Sequence, residues 1–530
     1  VSPGAGHRGG TLRLTADNSG GTLDPQINYT SQYQQLFADV YDGLLTYAKA
    51  PGMAGTAVVA DLAEAVPEPQ DGGRTWVFTL RDGVRFSDGR PVTVDDVAAT
   101  YRRIFKVGSP TAGAFYGAIA GADACLAAPA TCTLAGGIET DAATRRVVFH
   151  LLHPDSEFLQ KVAFSHAVIV PADTPAHDVG NAAVPSTGPY RIVSYDPNST
   201  LRLERNPYFH VWNALAQPDG YVDAIQYDFG LDDEAQVTAV ENGHYDWMYN
   251  DKPQDRLGEL GARYASRVHV QPMFALWYLA MNTHLAPFDN VLVRQAVNLA
   301  VDRHAVTLLF GGSALASPTC TMVPAGFPGG DIACPYSAQP TDDGAWHAPD
   351  LARARALVRQ SGTAGQRVSL VVMNRSIDMA VGTYLRNVLQ AIGYQAEVKP
   401  ISAGVQFTYI QNTNNRVQVA LTQWFADYAS PSNFLDDLLG CENFHPGSDS
   451  SINMAGYCSA VAQSAMMQAL QTTDKTRSDE LWRQAARTVM NDAPTAPLIQ
   501  IRYLDLVSAR MGNYLYTMLY HLCFSCVWVR

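Results

Sequence analysis

From Asp350 to Gln423 the hydrophobic period switches back and forth between 3.6 and 2 residues, and that alternation limits the fold more than any other feature. The spacing predicts a helix over 350–359, a strand over 368–373, a helix over 379–391, a strand over 395–400, a helix over 405–411 and a strand over 417–423. Strands alternating with helices of this length make a βαβ lobe, so an α/β unit is expected in the second half. The first half reads differently. Strand signals at 10–15, 76–80, 146–151, 188–193 and 200–204 are separated by helical patterns at 33–45, 93–104 and 232–242, and a further helix is expected over 289–303 with Asp289 as its cap. Arg81–Arg90 carries two Asp-Gly turn signals around a short strand, a hairpin-like arrangement. At 530 residues the chain is too long for one core, so more than one folding unit is expected.

With 47% hydrophobic residues there is ample material for a core, which excludes a disordered chain. Acids outnumber bases 50 to 37, so nucleic acid is not an expected partner. No run of ~18 apolar residues is present to cross a membrane. The eight cysteines fall into four near neighbours, Cys125 with Cys132, Cys320 with Cys334, Cys441 with Cys458 and Cys523 with Cys526. Disulfides are favoured in that arrangement, each closing a short loop worth ~2–3 kcal/mol, and they imply an oxidising compartment. Metal binding is the rival reading, since Cys523-Phe-Ser-Cys526 is a CxxC, but no second CxxC or paired histidine accompanies it. The opening VSPGAGHRGGTLRL has no charged and apolar leader, as expected of a mature exported chain.

The common catalytic signatures are missing. Gly4-Ala-Gly-His-Arg-Gly9 matches GxGxxG literally, but it follows no strand signal and opens no helix. There is no GxxxxGK[ST], HExxH or GxSxG. The acid pairs Asp95-Asp96, Asp232-Asp233 and Asp436-Asp437 lie near helix starts or on helices, where the dipole and solvent account for them. No catalytic residue, metal site or cofactor is expected, and the chain is not read as an enzyme.

Several segments, in order, carry a resemblance. They are Leu23-Asp-Pro-Gln26, Val40-Tyr-Asp-Gly-Leu-Leu45, Asp61-Leu-Ala-Glu-Ala65, the stretch from Thr75-Trp-Val-Phe-Thr-Leu80 to Thr93-Val-Asp-Asp-Val97, and Ser186-Thr-Gly-Pro-Tyr190. Leu203-Glu-Arg-Asn-Pro-Tyr208, Leu279-Ala-Met-Asn-Thr283, Pro287-Phe-Asp-Asn-Val291, Trp424-Phe-Ala-Asp-Tyr428 and Pro494-Thr-Ala-Pro-Leu498 follow. Together these resemble the large solute-binding proteins of peptide-type ABC importers, the dipeptide- and oligopeptide-binding family (bacterial extracellular solute-binding proteins, family 5). The resemblance implies a two-lobed periplasmic-binding-protein-like α/β fold with a hinged ligand cleft. Lobe I would comprise 1–45, 186–270 and 500–530, an inserted subdomain 46–185, and lobe II 271–499. The implied partners are a short peptide or other small zwitterionic solute and an ABC permease in the membrane, with the protein acting as a monomer in the periplasm or lipid-anchored at the cell surface. Oligosaccharide, opine, nickel-chelate and haem binders of the same transporter type are the alternatives, as is a peptide-sensing receptor or chaperone.

By the same resemblance, Asp427 matches an acid that pairs with a ligand's α-ammonium, and Arg375 matches an arginine that takes its carboxylate. A planar guanidinium fork suits bidentate carboxylate recognition. A turn-forming Asp and a surface salt bridge are the respective local readings. Gln423, Trp424 and Phe425 would offer backbone to an extended peptide. Asn28, Tyr29 and Thr30 would form the first-lobe wall, and Trp277 with Tyr278 could line the site or pack in the core.

Overall fold

The computed structural model describes residues 5–530, so Gly4 of the literal GxGxxG match lies outside it; Ala5–His7 form a single 3-10 turn. The chain divides into two compact units, one ending at Gln271 and resuming at Leu504, the other spanning Pro272–Tyr503. Residues 46–185 fall in the first unit. The chain passes from one unit to the other within the strands Val268–Met281 and Thr495–Leu506, which are neighbours in one sheet.

In the first unit, Thr11–Ala16 lies between Trp247–Met248 and Ala224–Phe229 and runs parallel to both. Thr200–Arg205 and Tyr190–Asp196 extend the sheet antiparallel, with a register shift between Ile192 and Ser194. Its core packs Leu12, Leu14, Leu36, Phe37, Leu203 and Ile225 with Trp247 and Phe524. A second, antiparallel sheet joins Thr75–Thr79, Arg146–His150 and Ile138–Asp141. The helix Val94–Lys106 opens with a full capping box: the Thr93 hydroxyl accepts from the Asp96 amide, and Asp96 accepts from the Thr93 amide at 2.8 Å. From that helix Arg103 reaches the buried Asp24, with N–O distances of 3.0 and 2.6 Å, and Gln26 at 2.8 Å. The Leu-Asp-Pro-Gln motif is thus a structural clamp.

Two helical expectations change. The segment expected as one helix over 33–45 is helical only over Ser31–Phe37, and Leu45–Tyr47 is a strand. The carbonyl of Val40 is taken by the amide of Gly188 at 2.9 Å, and a Cβ on Gly188 would lie 2.7 Å from that oxygen. A distant segment therefore claims the bond a continuing helix would need. The helix expected over 289–303 is two, Val291–Ala300 capped by Asn290 and Arg303–Phe310 capped by Asp302. Arg81–Arg90 turns as expected, with the Phe86 amide donating to the Arg90 carbonyl at 2.8 Å and Gly89 at φ +91°.

The second unit holds a six-stranded sheet in the order Ala316–Pro318, Thr495–Leu506, Val268–Met281, Val419–Phe425, Arg367–Met373, Gln395–Ile401. The last three strands are mutually parallel and are linked by the helices Ser376–Ala391 and Ala403–Gln411, the βαβ arrangement that the periodicity indicates. The cysteines pair as sequence neighbours: Cys125–Cys132, Cys320–Cys334, Cys441–Cys458 and Cys523–Cys526.

Candidate functional site

The strand Val419–Phe425 is an unbroken run of buried residues up to Trp424, as a central strand covered on both faces must be. It pairs antiparallel with Val268–Met281, placing Gln423 directly opposite Trp277 and Trp424 opposite Leu276. Directly opposed residues share a face and neighbours alternate, so Gln423, Trp277 and Phe425 lie on one side and Trp424 on the other. Trp424 is 4% exposed, stacks on Phe407 at 6.2 Å and donates its indole N–H to Asn433 Oδ1 at 3.3 Å. Trp277 packs edge-on against Phe310 at 5.4 Å, and it and Tyr278 are buried.

Immediately past this strand the chain turns through Asp427 into the helix Ser432–Leu439. Asn433, in the first turn of that helix, organises the turn. Its Oδ1 accepts the Asp427 backbone amide at 2.8 Å, and its Nδ2 donates to Asp427 Oδ2 at 3.2 Å and to Asp437 Oδ2 at 2.7 Å. The Tyr428 hydroxyl adds a bond to Asp437 Oδ2 at 3.2 Å. Two carboxylates thus meet around one buried amide, Asp427 being 8% exposed. Such a concentration of negative charge in low dielectric suits a cationic group.

Arg375 belongs to the same unit, at the end of the neighbouring parallel strand Arg367–Met373 and at the N-cap of the helix Ser376–Ala391. Its Nε donates to Asp378 Oδ2 at 2.9 Å, while Asp378 Oδ1 accepts from Gln423 Nε2 at 2.6 Å. Asp427 and Arg375 therefore sit beside adjacent strand ends of one unit.

In the first unit, Asn28 ties its loop together, donating to the carbonyls of Gly20 (2.8 Å) and Thr22 (2.7 Å) and accepting from the Thr30 amide at 2.9 Å. Thr30 caps the helix Ser31–Phe37. Tyr29 is half-buried against the rings of His166 (5.1 Å) and Phe164 (5.9 Å). His166 donates from Nε2 to the Asn28 carbonyl at 2.9 Å, which leaves Nδ1 to accept from Thr111 Oγ1 at 2.6 Å. Burial holds its pKa down to about 4, so the ring is neutral there.

Asn433, Asp437, Asp378 and His166 are absent from the sequence reading of the site. Only one carried a usable signal: Asp378 stands three residues after an arginine at a helix start, an (i, i+3) ion-pair spacing.

The fold is of the mixed α/β class found in solved oligopeptide and periplasmic binding proteins. The fold is shared with the Clavulanic acid biosynthesis oligopeptide binding protein 2, at TM-score 0.84 and 25% identity over 100% of this chain and 97% of that one. It is shared also with the Helicobacter pylori periplasmic binding protein solved with the peptide STSA, at TM-score 0.83 and 18% identity over 99% and 98%. Residues 57–446 match the family model of the bacterial extracellular solute-binding proteins, family 5 Middle, and the chain belongs to that family of binding proteins. It is similar to the dipeptide-binding protein of Pseudomonas aeruginosa PAO1, 24% identical over 524 residues, 93% of this chain and 90% of the relative. It is similar also to the periplasmic oligopeptide-binding protein of Escherichia coli K12, 24% identical over 527 residues, 93% and 87%.

Proposed function

We propose that this chain captures short peptides outside the cytoplasm, as a monomer, and delivers them to an ABC permease in the membrane. The carrying observation is the Asp427 turn. A buried carboxylate, oriented by Asn433 and reinforced by Asp437, stands where a central strand ends, a setting that favours an α-ammonium over a neutral solute. Arg375, one strand away and one-third exposed at its side chain, offers a partner for the other end of a zwitterion. Backbone groups near Phe425 would pair with the extended peptide between them, giving affinity that depends little on side chains.

The names of the relatives support a peptide ligand and a periplasmic setting. Four disulfides favour an oxidising compartment. Among the described residues no helix is long and apolar enough to cross a membrane. Native mass spectrometry of the purified protein tests the proposal. A mixed population of short peptides is expected as co-purified ligand, and a single sugar, opine or metal chelate overturns the peptide reading.

A further inference from the structure

An arginine at a helix N-cap is a poor local choice. Ser, Thr, Asp and Asn serve there because their oxygen accepts an orphan amide, and a cation beside the positive end of the helix dipole is disfavoured. Arg375 occupies that position for the 16-residue helix Ser376–Ala391, in extended backbone and with no capping bond from its side chain. Departures of this kind gather at functional positions, with compensation nearby. Here the compensation is Asp378, at the third helical position.

Three observations set Asp378 apart from a surface partner. It is fully buried, so its charge acts through protein and little through water. One oxygen accepts from Arg375 Nε at 2.9 Å, the atom on the stem side of the guanidinium. The other accepts from Gln423 Nε2 at 2.6 Å, and Gln423 lies on the adjacent strand directly opposite Trp277. A single carboxylate therefore ties together the arginine and the glutamine of the proposed ligand surface.

We propose that Asp378 sets the specificity for the ligand's carboxyl end: by compensating Arg375 it makes the protein nearly indifferent to whether a peptide ends in a carboxylate or a neutral group. A carboxylate approaching Arg375 gains a charge-assisted hydrogen bond, but it also meets the buried negative charge behind the guanidinium. The two effects largely offset. Capture of peptides of varied length, or with blocked or branched carboxyl ends, follows. A carrier restricted to free dipeptides would instead need an uncompensated cation. Asp378 is a positioning residue and makes no contact with ligand. The inference rests on the peptide reading above.

The test is titration calorimetry of trialanine and trialanine amide against wild type, Asp378→Asn and Arg375→Gln, each first shown to be folded by its thermal melt. Wild type is expected to bind the acid and the amide within about threefold of each other. Asp378→Asn keeps an oxygen that can accept from Arg375 and removes the charge, so preference for the acid should rise to about tenfold or more. Arg375→Gln removes the cation and keeps the buried carboxylate with its bond from Gln423, and should reverse the order, so that the amide binds better. A role confined to folding would weaken both ligands equally and leave the ratio where it was. An unchanged ratio in both variants of a peptide-binding protein overturns this inference alone. Failure of wild type to bind either form removes the peptide reading and this inference with it.

Discussion

Asn433 grips Asp427 at two points, its side-chain oxygen accepting the Asp427 amide at 2.8 Å and its side-chain nitrogen donating to the Asp427 carboxylate at 3.2 Å. The same amide group also serves Trp424 Nε1 and Asp437. Asn433→Ala should leave buried donors and acceptors short of partners at ~1–3 kcal/mol each, a total loss of at least ~3 kcal/mol in unfolding free energy. Peptide affinity should fall with it, because the Asp427 carboxylate loses its orientation. Denaturant unfolding together with calorimetry checks this. Wild-type stability in Asn433→Ala would show that the network carries no weight.

Asp427→Asn separates binding from folding. The replacement keeps the backbone bond to Asn433 and relieves the proximity of two carboxylates, so Tm should change little. Loss of the charge should weaken binding of peptides with a free amino end by ~2–5 kcal/mol, while N-acetylated peptides should bind both proteins alike. Equal affinity of wild type and variant for free-amine peptides would take Asp427 out of the ammonium role.

What the sequence discloses and what it hides divide along contact distance. Thr93 and Asp96 can be read as a capping box because the bonds span three residues, and the βαβ run after Asp350 shows in its periods alone. The stop at Phe37 is hidden, since it depends on Gly188 arriving at Val40 from about 150 residues away. The site follows the same rule. Asp427 and Arg375 stand out by the resemblance, each just past a strand that the periodicity indicates. Neither reveals that Asp378 joins Arg375 to Gln423, or that Asn433 sits beneath Asp427, because periodicity gives a face and no partner.

His166 predicts a pH dependence. Burial lowers its pKa from an ordinary value near 6.5 to about 4, with the bond to the Asn28 carbonyl and the nearby Asp24 offsetting part of the drop. The ring is surrounded by Tyr29, Phe164, Ser109 and Thr111. In this window the unfolded chain binds the proton more readily, so stability is complete above pH ~6.5 and is lost as pH falls toward 4. The contribution lost by pH 5 is about 2 kcal/mol. Raised pKa values at the buried Asp39, Asp42 and Asp61 work in the opposite direction, since their folded forms hold protons longer. The difference between variant and wild type is therefore the quantity to measure. Between pH 7 and 5, His166→Gln should lose less stability than wild type by about that amount. Parallel pH profiles of the two proteins would contradict the assignment.

The Cys441–Cys458 disulfide isolates the chain-entropy contribution of a cross-link. Its residues are 17 apart in sequence, Cys458 is exposed and Cys441 half-buried, so serine replacements add little burial cost of their own. Closing a loop of that length should stabilise the fold by about 3 kcal/mol, by restricting the unfolded chain. Cys441→Ser with Cys458→Ser should therefore lower the unfolding free energy by that much in urea, with no change in peptide affinity, since Cys441 follows the helix Ser432–Leu439 whereas Asp427 precedes it. In wild type unfolded without reductant, a thiol reagent should detect no free cysteine, because all eight are paired. A double variant as stable as wild type would mean that the unfolded chain is already held compact around this loop, and that the cross-link restricts nothing further.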